Sequence, residues 1–201
     1  MAANDTFNDE DGRGQGRRRM DAAQRKYKLP TEERLTRAAV HYLERYSSSA
    51  ENLRAVLGRK VKRAATSNGR SPEEFRDIVD RVVEKCRRSG MVDDRTYAET
   101  KLAGLRRRGR SKRQIEAALA SKGVDRALIA SVVERDDTSE LEAARTYARR
   151  RRLGPWRTQG QREDSREKDM AALCRAGYSF EIARKVVDAA ADDGEEASAA
   201  V

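Results

Sequence analysis

Histidine, cysteine, proline and aromatic residues are all scarce in this chain, and long apolar runs are missing. One histidine, His41, and two cysteines, Cys86 and Cys174, stand in 201 residues, so neither a His-rich metal site nor a disulfide framework finds ligands at usable spacing. Both thiols are expected to be small buried hydrophobes, and His41 a structural residue on a helix. No apolar stretch approaches the ~20 residues that span a bilayer. The N-terminus MAANDTFNDEDGRG has neither the basic region nor the apolar core of a secretory signal. A cytoplasmic protein that does not enter a membrane is the expectation. Gly104 and Gly109 do not form a Walker loop, and no GxGxxG follows a strand pattern. Asp93-Asp94 lies directly before an apolar stripe and reads as a helix cap and first-turn acid, not as a catalytic carboxylate pair. No catalytic residue, metal site, cofactor or small-molecule substrate is therefore expected.

What is present is charge. Charged residues make up 39% of the chain, hydrophobic types 37% and aromatics 5%, so one large core is excluded and several small ones must share the work. Three prolines and few β-branched runs, with abundant Ala, Arg, Glu and Leu, predict an all-α fold. The net charge of +10 suits a polyanionic partner. Residues 1–29, with GRGQGRRRMDAAQRKYK, predict a disordered basic arm that reads equally as a nucleic-acid-binding arm or a solubilising tail. Residues 191–201 predict a disordered acidic tail.

Between the tails lies an internal repeat. Ser49, Leu53 and Leu57 recur 62 residues later as Ser111, Ile115 and Leu119, and a further 54 residues takes Ser111 and Leu119 to Ser165 and Leu173. Ile78, Val79, Val82 and Val83 recur after 50 residues as Leu128, Ile129, Val132 and Val133, and after another 54 as Ile182, Ala183, Val186 and Val187. Apolar pairs repeating four residues on are helical stripes. The first unit is longer by twelve residues, which are placed in the connector around Ala65 to Arg70. A further helix precedes each pair: Leu35, Val40 and Leu43 in unit one, Tyr97, Leu102 and Leu105 in unit two, Leu141, Ala144 and Ala148 in unit three. About eight residues around GPWRTQGQ are inserted before Ser165. Caps agree with these boundaries: Ser71-Pro72-Glu73-Glu74 and Ser111-Lys112-Arg113-Gln114 are capping boxes, Ser48 or Ser49 caps the second helix of unit one, and Asp125 and Ser179 cap third helices after Gly123 and Gly177. The prediction is an elongated, curved array of three tandem three-helix repeats, over 30–90, 91–137 and 138–190, in which stacking supplies the stability that one unit lacks.

Arg106, Arg107, Arg108, Arg110, Lys112 and Arg113 cluster at the first turn of unit two, and Arg149, Arg150, Arg151, Arg152 and Arg157 at the matching turn of unit three. Unit one carries Arg59, Lys60, Lys62 and Arg63 at the end of its second helix. A charge run is often just a solvated face, but recurrence at one architectural position argues for a basic track that binds phosphate or acidic protein without base readout. Tyr42, Tyr97 and Tyr147 fall on stripes and read as core. Tyr46 and Trp156, beside basic residues, could stack on bases or pack on a partner, and Tyr178 with Phe180 reads as a hydrophobic staple around Ser179.

Three stretches resemble the RecX family of regulatory proteins: YLERYSSSAENLRAVLGRKV, GMVDDRTYAETKLAGLRRRGRSKRQIEAALASKGVD and EKDMAALCRAGYSFEIARKVVDAA. The middle one matches the family's Leu-Asp-Asp-x-x-Phe-Ala pattern at Val92 to Ala98, its Gly-x-Ser/Pro-x-x-Ile at Gly109 to Ile115, and its Lys-Gly-Val/Ile at Lys122 to Val124. The arginine run before Gly154-Pro155 and the Ala-Gly-Tyr-Ser segment at 176–179 look like the alphaproteobacterial branch. The resemblance implies tandem three-helix repeats and a non-enzymatic modulator of the RecA recombinase. Such a protein lies in the groove of the RecA filament on single-stranded DNA, limiting strand exchange and co-protease action in DNA repair and the SOS response. The basic arm, the unit-three insertion and the acidic tail depart from the shortest members. Composition and charge alone leave a second reading, a general non-sequence-specific nucleic-acid-binding protein.

Overall fold

A computed structural model describes residues 27–190; of the predicted tails, 1–29 and 191–201, all but residues 27–29 lie outside them. The described residues form nine α-helices and two short 3-10 turns, with no strand among them. Unit one holds α1 (Glu32–Leu43), α2 (Ala50–Ser67), a turn at Pro72–Phe75 and α3 (Arg76–Arg88). Unit two holds α4 (Asp94–Arg106), α5 (Lys112–Ala120) and α6 (Arg126–Glu134). Unit three holds α7 (Glu140–Arg151), a turn at Gly154–Trp156, α8 (Arg162–Arg175) and α9 (Phe180–Val187). All three predicted stripes are buried, but into three separate cores. Leu35, Leu53, Leu57, Val82 and Cys86 anchor the first, Ala98, Ile115, Leu119 and Val132 the second, and Ala144, Ala148, Leu173 and Val186 the third. Burying each leucine contributes roughly 1.5–3 kcal/mol, so no unit has more than a handful of large contributors.

Helix starts follow the capping chemistry. Ser49, Ser111 and Ser179 accept from the backbone N–H three residues on, at 3.2, 3.3 and 3.2 Å. Asp93 accepts from Arg95 and Thr96, and Asp125 from Ala127 and Leu128. Gly69, Gly123 and Gly177, spaced 54 residues apart, close the second helix of each unit at φ of 66°, 70° and 88°.

The twelve extra residues of unit one are not in a loop. From Ser49 to Gly69 the chain is eight residues longer than from Ser111 to Gly123, and all of that length is helix: α2 has 18 residues where α5 has 9. The added turns stay helical because Val61, Ala64 and Ala65 continue the Leu53–Leu57 stripe and are buried. The other four are the turn Pro72–Phe75, which seats Phe75 in the core. In unit three, α8 starts at Arg162, so Ser165 lies inside the first turn instead of capping it. Phe180 is 64% exposed while Tyr178 is buried, so these two do not pack together across Ser179. Trp156 and Cys174 pack against the unit-three core.

Neighbouring units are joined by one device used twice. The cap Ser49 Oγ, buried, donates across to the carbonyl of Lys122 in unit two. Its counterpart Ser111 Oγ donates to the carbonyl of Ala176 in unit three at 2.7 Å. Beside each, the acid that opens the next unit's first helix accepts from the first helical N–H: Ala50 to Asp94 Oδ1 at 2.8 Å, and Lys112 to Glu140 Oε1 at 2.9 Å. A helix N-terminus has N–H groups without intrahelical partners and a positive dipole end, and the carboxylate answers both. The array closes at its ends by lengthening a helix. In unit one, α2 runs on through Lys60 and Val61, where units two and three have their receiving turn. In unit three the early start of α8 removes the donating cap.

Candidate partner and nucleic-acid interface

Some of the basic residues singled out above meet at the junction of units two and three. Helix α4 ends in Arg106, the turn after it carries Arg107, Arg108 and Arg110, and α5 opens with Lys112 and Arg113. Across from it, α7 ends in Arg149, Arg150 and Arg151, followed by Arg152. Gly109 lets the two meet. At φ 66° it lies so close to α7 that a Cβ would stand 2.7 Å from the carbonyl oxygen of Ala143. The Tyr178 hydroxyl, reaching over from unit three, donates to the Gly109 carbonyl at 2.9 Å.

Arg106 does not belong to the exposed set. Its side chain is 4% exposed, with Nε donating to Asp136 Oδ2 at 2.5 Å and Nη1 to Glu140 Oε1 at 2.7 Å. Nη1 also donates to the carbonyl of Arg110 at 2.9 Å, so the buried guanidinium shapes the turn that presents its neighbours. Burial pushes the Asp136 carboxyl up, but hydrogen bonds from Arg106 and Thr138 and the Arg106 charge outweigh it and hold the group below the ordinary carboxylate range. Arg157 is likewise withdrawn, paired with the buried Asp169, which also accepts from the Gly154 N–H at 2.8 Å. Arg59, Lys60, Lys62 and Arg63 lie in the middle of α2, not at its end, because the helix continues to Ser67.

The other nine basic residues have no carboxylate partner among the described residues. Arg107, Arg108, Arg113, Arg149, Arg150, Arg151 and Arg152 are exposed, and Arg110 and Lys112 are half-buried. Four of them, Arg108, Arg110, Arg150 and Arg151, line a cleft of about 270 Å³ with Tyr147. The Arg151 guanidinium lies 6.0 Å from the centre of the Tyr147 ring, within cation–π reach. Four guanidiniums around one cleft with no acid in its lining repel one another until an anion enters, and their planar donor forks fit phosphate or carboxylate oxygens.

Backbone strain marks the same place. Helices α2, α4, α5 and α8 end in one hydrogen-bond pattern with a left-handed glycine at the turn; α7 ends in that pattern with Arg152, at φ 55°, the one non-glycine with positive φ among the described residues. Holding an L-residue there costs about 1–2 kcal/mol.

Comparison with known proteins agrees with the repeat. The family model for the RecX second three-helix domain matches residues 93–133, which span unit two. The Regulatory protein RecX of Myxococcus xanthus is 45% identical over 157 residues, covering 77% of this chain and 84% of the relative. The chain belongs to the RecX family. Regulatory protein RecX of Agrobacterium fabrum is 29% identical over 159 residues, covering 79% of this chain and 84% of its own length. That of Mycobacterium marinum is 31% identical over 144 residues, covering 67% and 79%. No solved structure matches the chain significantly. Among the described residues, no helix of this RecX-family chain is long and apolar enough to cross a membrane.

Proposed function

We propose that this protein binds the RecA filament on single-stranded DNA in the cytoplasm and limits recombinase and co-protease activity, acting without catalysis of its own. Membership of a family of regulatory proteins supports the reading. The observation that carries it is the cleft of Arg108, Arg110, Arg150 and Arg151, presented by a turn that the buried Arg106 fixes from below. Arg107, Lys112, Arg113, Arg149 and Arg152 extend the basic face on either side. Units joined in series offer several weak contacts to a repeating partner, and their combined effect exceeds any one of them.

The test is fluorescence anisotropy of the labelled protein with RecA filaments on single-stranded DNA, with the same DNA alone and with RecA alone, at ~150 mM salt where long-range attraction is screened. Tighter binding to the filament than to either component is expected. Equal binding to bare DNA would replace the proposal with a general nucleic-acid binder.

A further inference from the structure

The junction of units one and two holds a second cleft, of about 360 Å³, with a different lining. Tyr46 lies on its wall, 58% exposed, in a chain that keeps most of its large apolar side chains inside. The Tyr42 ring supports it from one side, with centroids 5.2 Å apart and planes tilted by 36°. Tyr42 is itself fixed: its hydroxyl accepts from Asn52 Nδ2 at 3.1 Å, and Asn52 Oδ1 accepts from Lys122 Nζ of unit two at 3.4 Å. The aromatic pair is thus tied to the inter-unit joint. The lining adds Lys101 and Arg108 to Lys122 and contains no carboxylate. Arg108 lines the arginine cleft as well, so the two clefts share a wall and form one basic surface.

We infer that this cleft binds an unpaired base of single-stranded nucleic acid, the base face lying on Tyr46 and the flanking phosphates on Lys101, Lys122 and Arg108. A flat, exposed ring backed by a second ring is a stacking platform, and every base has a face to offer it. The three cations answer the phosphates, whose positions they hold without reading sequence. A duplex cannot use the site, because its base faces are covered by their neighbours in the stack. The phosphate run leaves past Arg108 towards the arginine cleft. This deepens the proposed function, since it makes DNA a direct ligand of the same basic surface, but it does not require RecA.

The experiment titrates the full chain with a ~12-nucleotide oligothymidylate, an abasic oligomer of the same length and a duplex, with RecA absent. Tyr46→Ala is expected to weaken oligothymidylate binding by about 5- to 50-fold, while Tyr46→Phe binds like the parent. The abasic oligomer should bind weakly and be indifferent to the Tyr46 substitutions. Arg108→Ala should weaken both oligomers and reduce the slope of log affinity against log salt by about one ion. Because Tyr46 is exposed, helicity should not change in any Tyr46 variant. The inference is overturned if the abasic oligomer binds as tightly as oligothymidylate, if no oligomer binds, or if Tyr46→Ala leaves oligothymidylate binding intact. Loss of filament binding by Tyr46→Ala with unchanged oligothymidylate binding would make the cleft a protein contact and overturn it equally. Failure of the RecA reading would show in the filament titration, not in these.

Discussion

The two junctions of the array are built on the same pair of hydrogen bonds, yet the second is reinforced far more than the first. Between units one and two, the Ser49 cap and the Asp94 carboxylate are joined by a long contact from Lys122 to Asn52. Between units two and three, the matching Ser111 and Glu140 bonds are joined by the buried Arg106 with Asp136, by Tyr178 on Gly109, and by the close seating of Gly109 on α7. The shared device sets which unit follows which. The additions at the second junction fix the geometry of the turn above it, where the four-arginine cleft lies. Like charges held together need a stiff support, and buried ion pairs are a means of orientation more than of net stability.

Removing that support should have the largest effect. Arg106→Met leaves Asp136 and Glu140 without their cation, and a loss of about 3–5 kcal/mol is expected. Amide hydrogen exchange should locate the loss at the second junction and leave unit one as protected as before; uniform loss across the chain would contradict the comparison. The same network predicts a pH response. The Asp136 carboxyl is depressed in the folded state, so its stabilisation is complete above its ordinary value near 4 and disappears as pH falls through the lower folded value. Acid titration followed by hydrogen exchange should therefore open the second junction, and Arg106→Met should abolish that step.

Next in size are the glycines. Gly109→Ala meets both a left-handed φ and the Ala143 carbonyl, whereas Gly69→Ala, with nothing within 4 Å, meets the φ alone. Thermal melts should give a loss of about 1 kcal/mol for Gly69→Ala and at least twice that for Gly109→Ala. Equal losses would mean that the close seating on α7 is not a constraint.

Ser49→Ala and Ser111→Ala each remove a cap and a bond between units, for about 1–2 kcal/mol by urea melts. Their near-equality is the expectation, since the device is the same at both junctions; a Ser111 loss several-fold larger would show that the bond is coupled to the Arg106 network.

The smallest effect has the opposite sign. Arg152→Gly should raise stability by about 1 kcal/mol while weakening filament binding, because it relieves a left-handed residue and removes a cation. A variant that is more stable and binds as well as the parent would free Arg152 of any part in the interface.

The helices and their order were legible in the sequence because stripe and cap agree at each start, as at Ser111 with Ile115 and Leu119. The twelve extra residues were misplaced for a physical reason: Ala65-Thr66-Ser67 reads as a connector by composition, and only the burial of Val61 and Ala65 in the core shared with α3 and its preceding turn makes it helix. The arginine runs were visible, but not their division. Nothing local separates Arg106 from Arg107, since the partners of Arg106 lie 30 and 34 residues further on at Asp136 and Glu140. An acid at the end of unit two and another at the start of unit three, opposite the basic turn, were the available signal. The exposure of Tyr46 could not be read from its neighbours, because it depends on where unit two comes to rest.

The proposed working surface is the set of exposed arginines at the second junction, and not its buried one. The direct test is the triple variant Arg108→Glu, Arg150→Glu and Arg151→Glu, which leaves Arg106, Asp136 and Glu140 untouched, measured for binding to RecA filaments at ~150 mM salt with circular dichroism alongside. Unchanged helicity and a fall in filament affinity of about 100-fold or more are expected. Parent-like affinity with unchanged helicity would contradict the proposal.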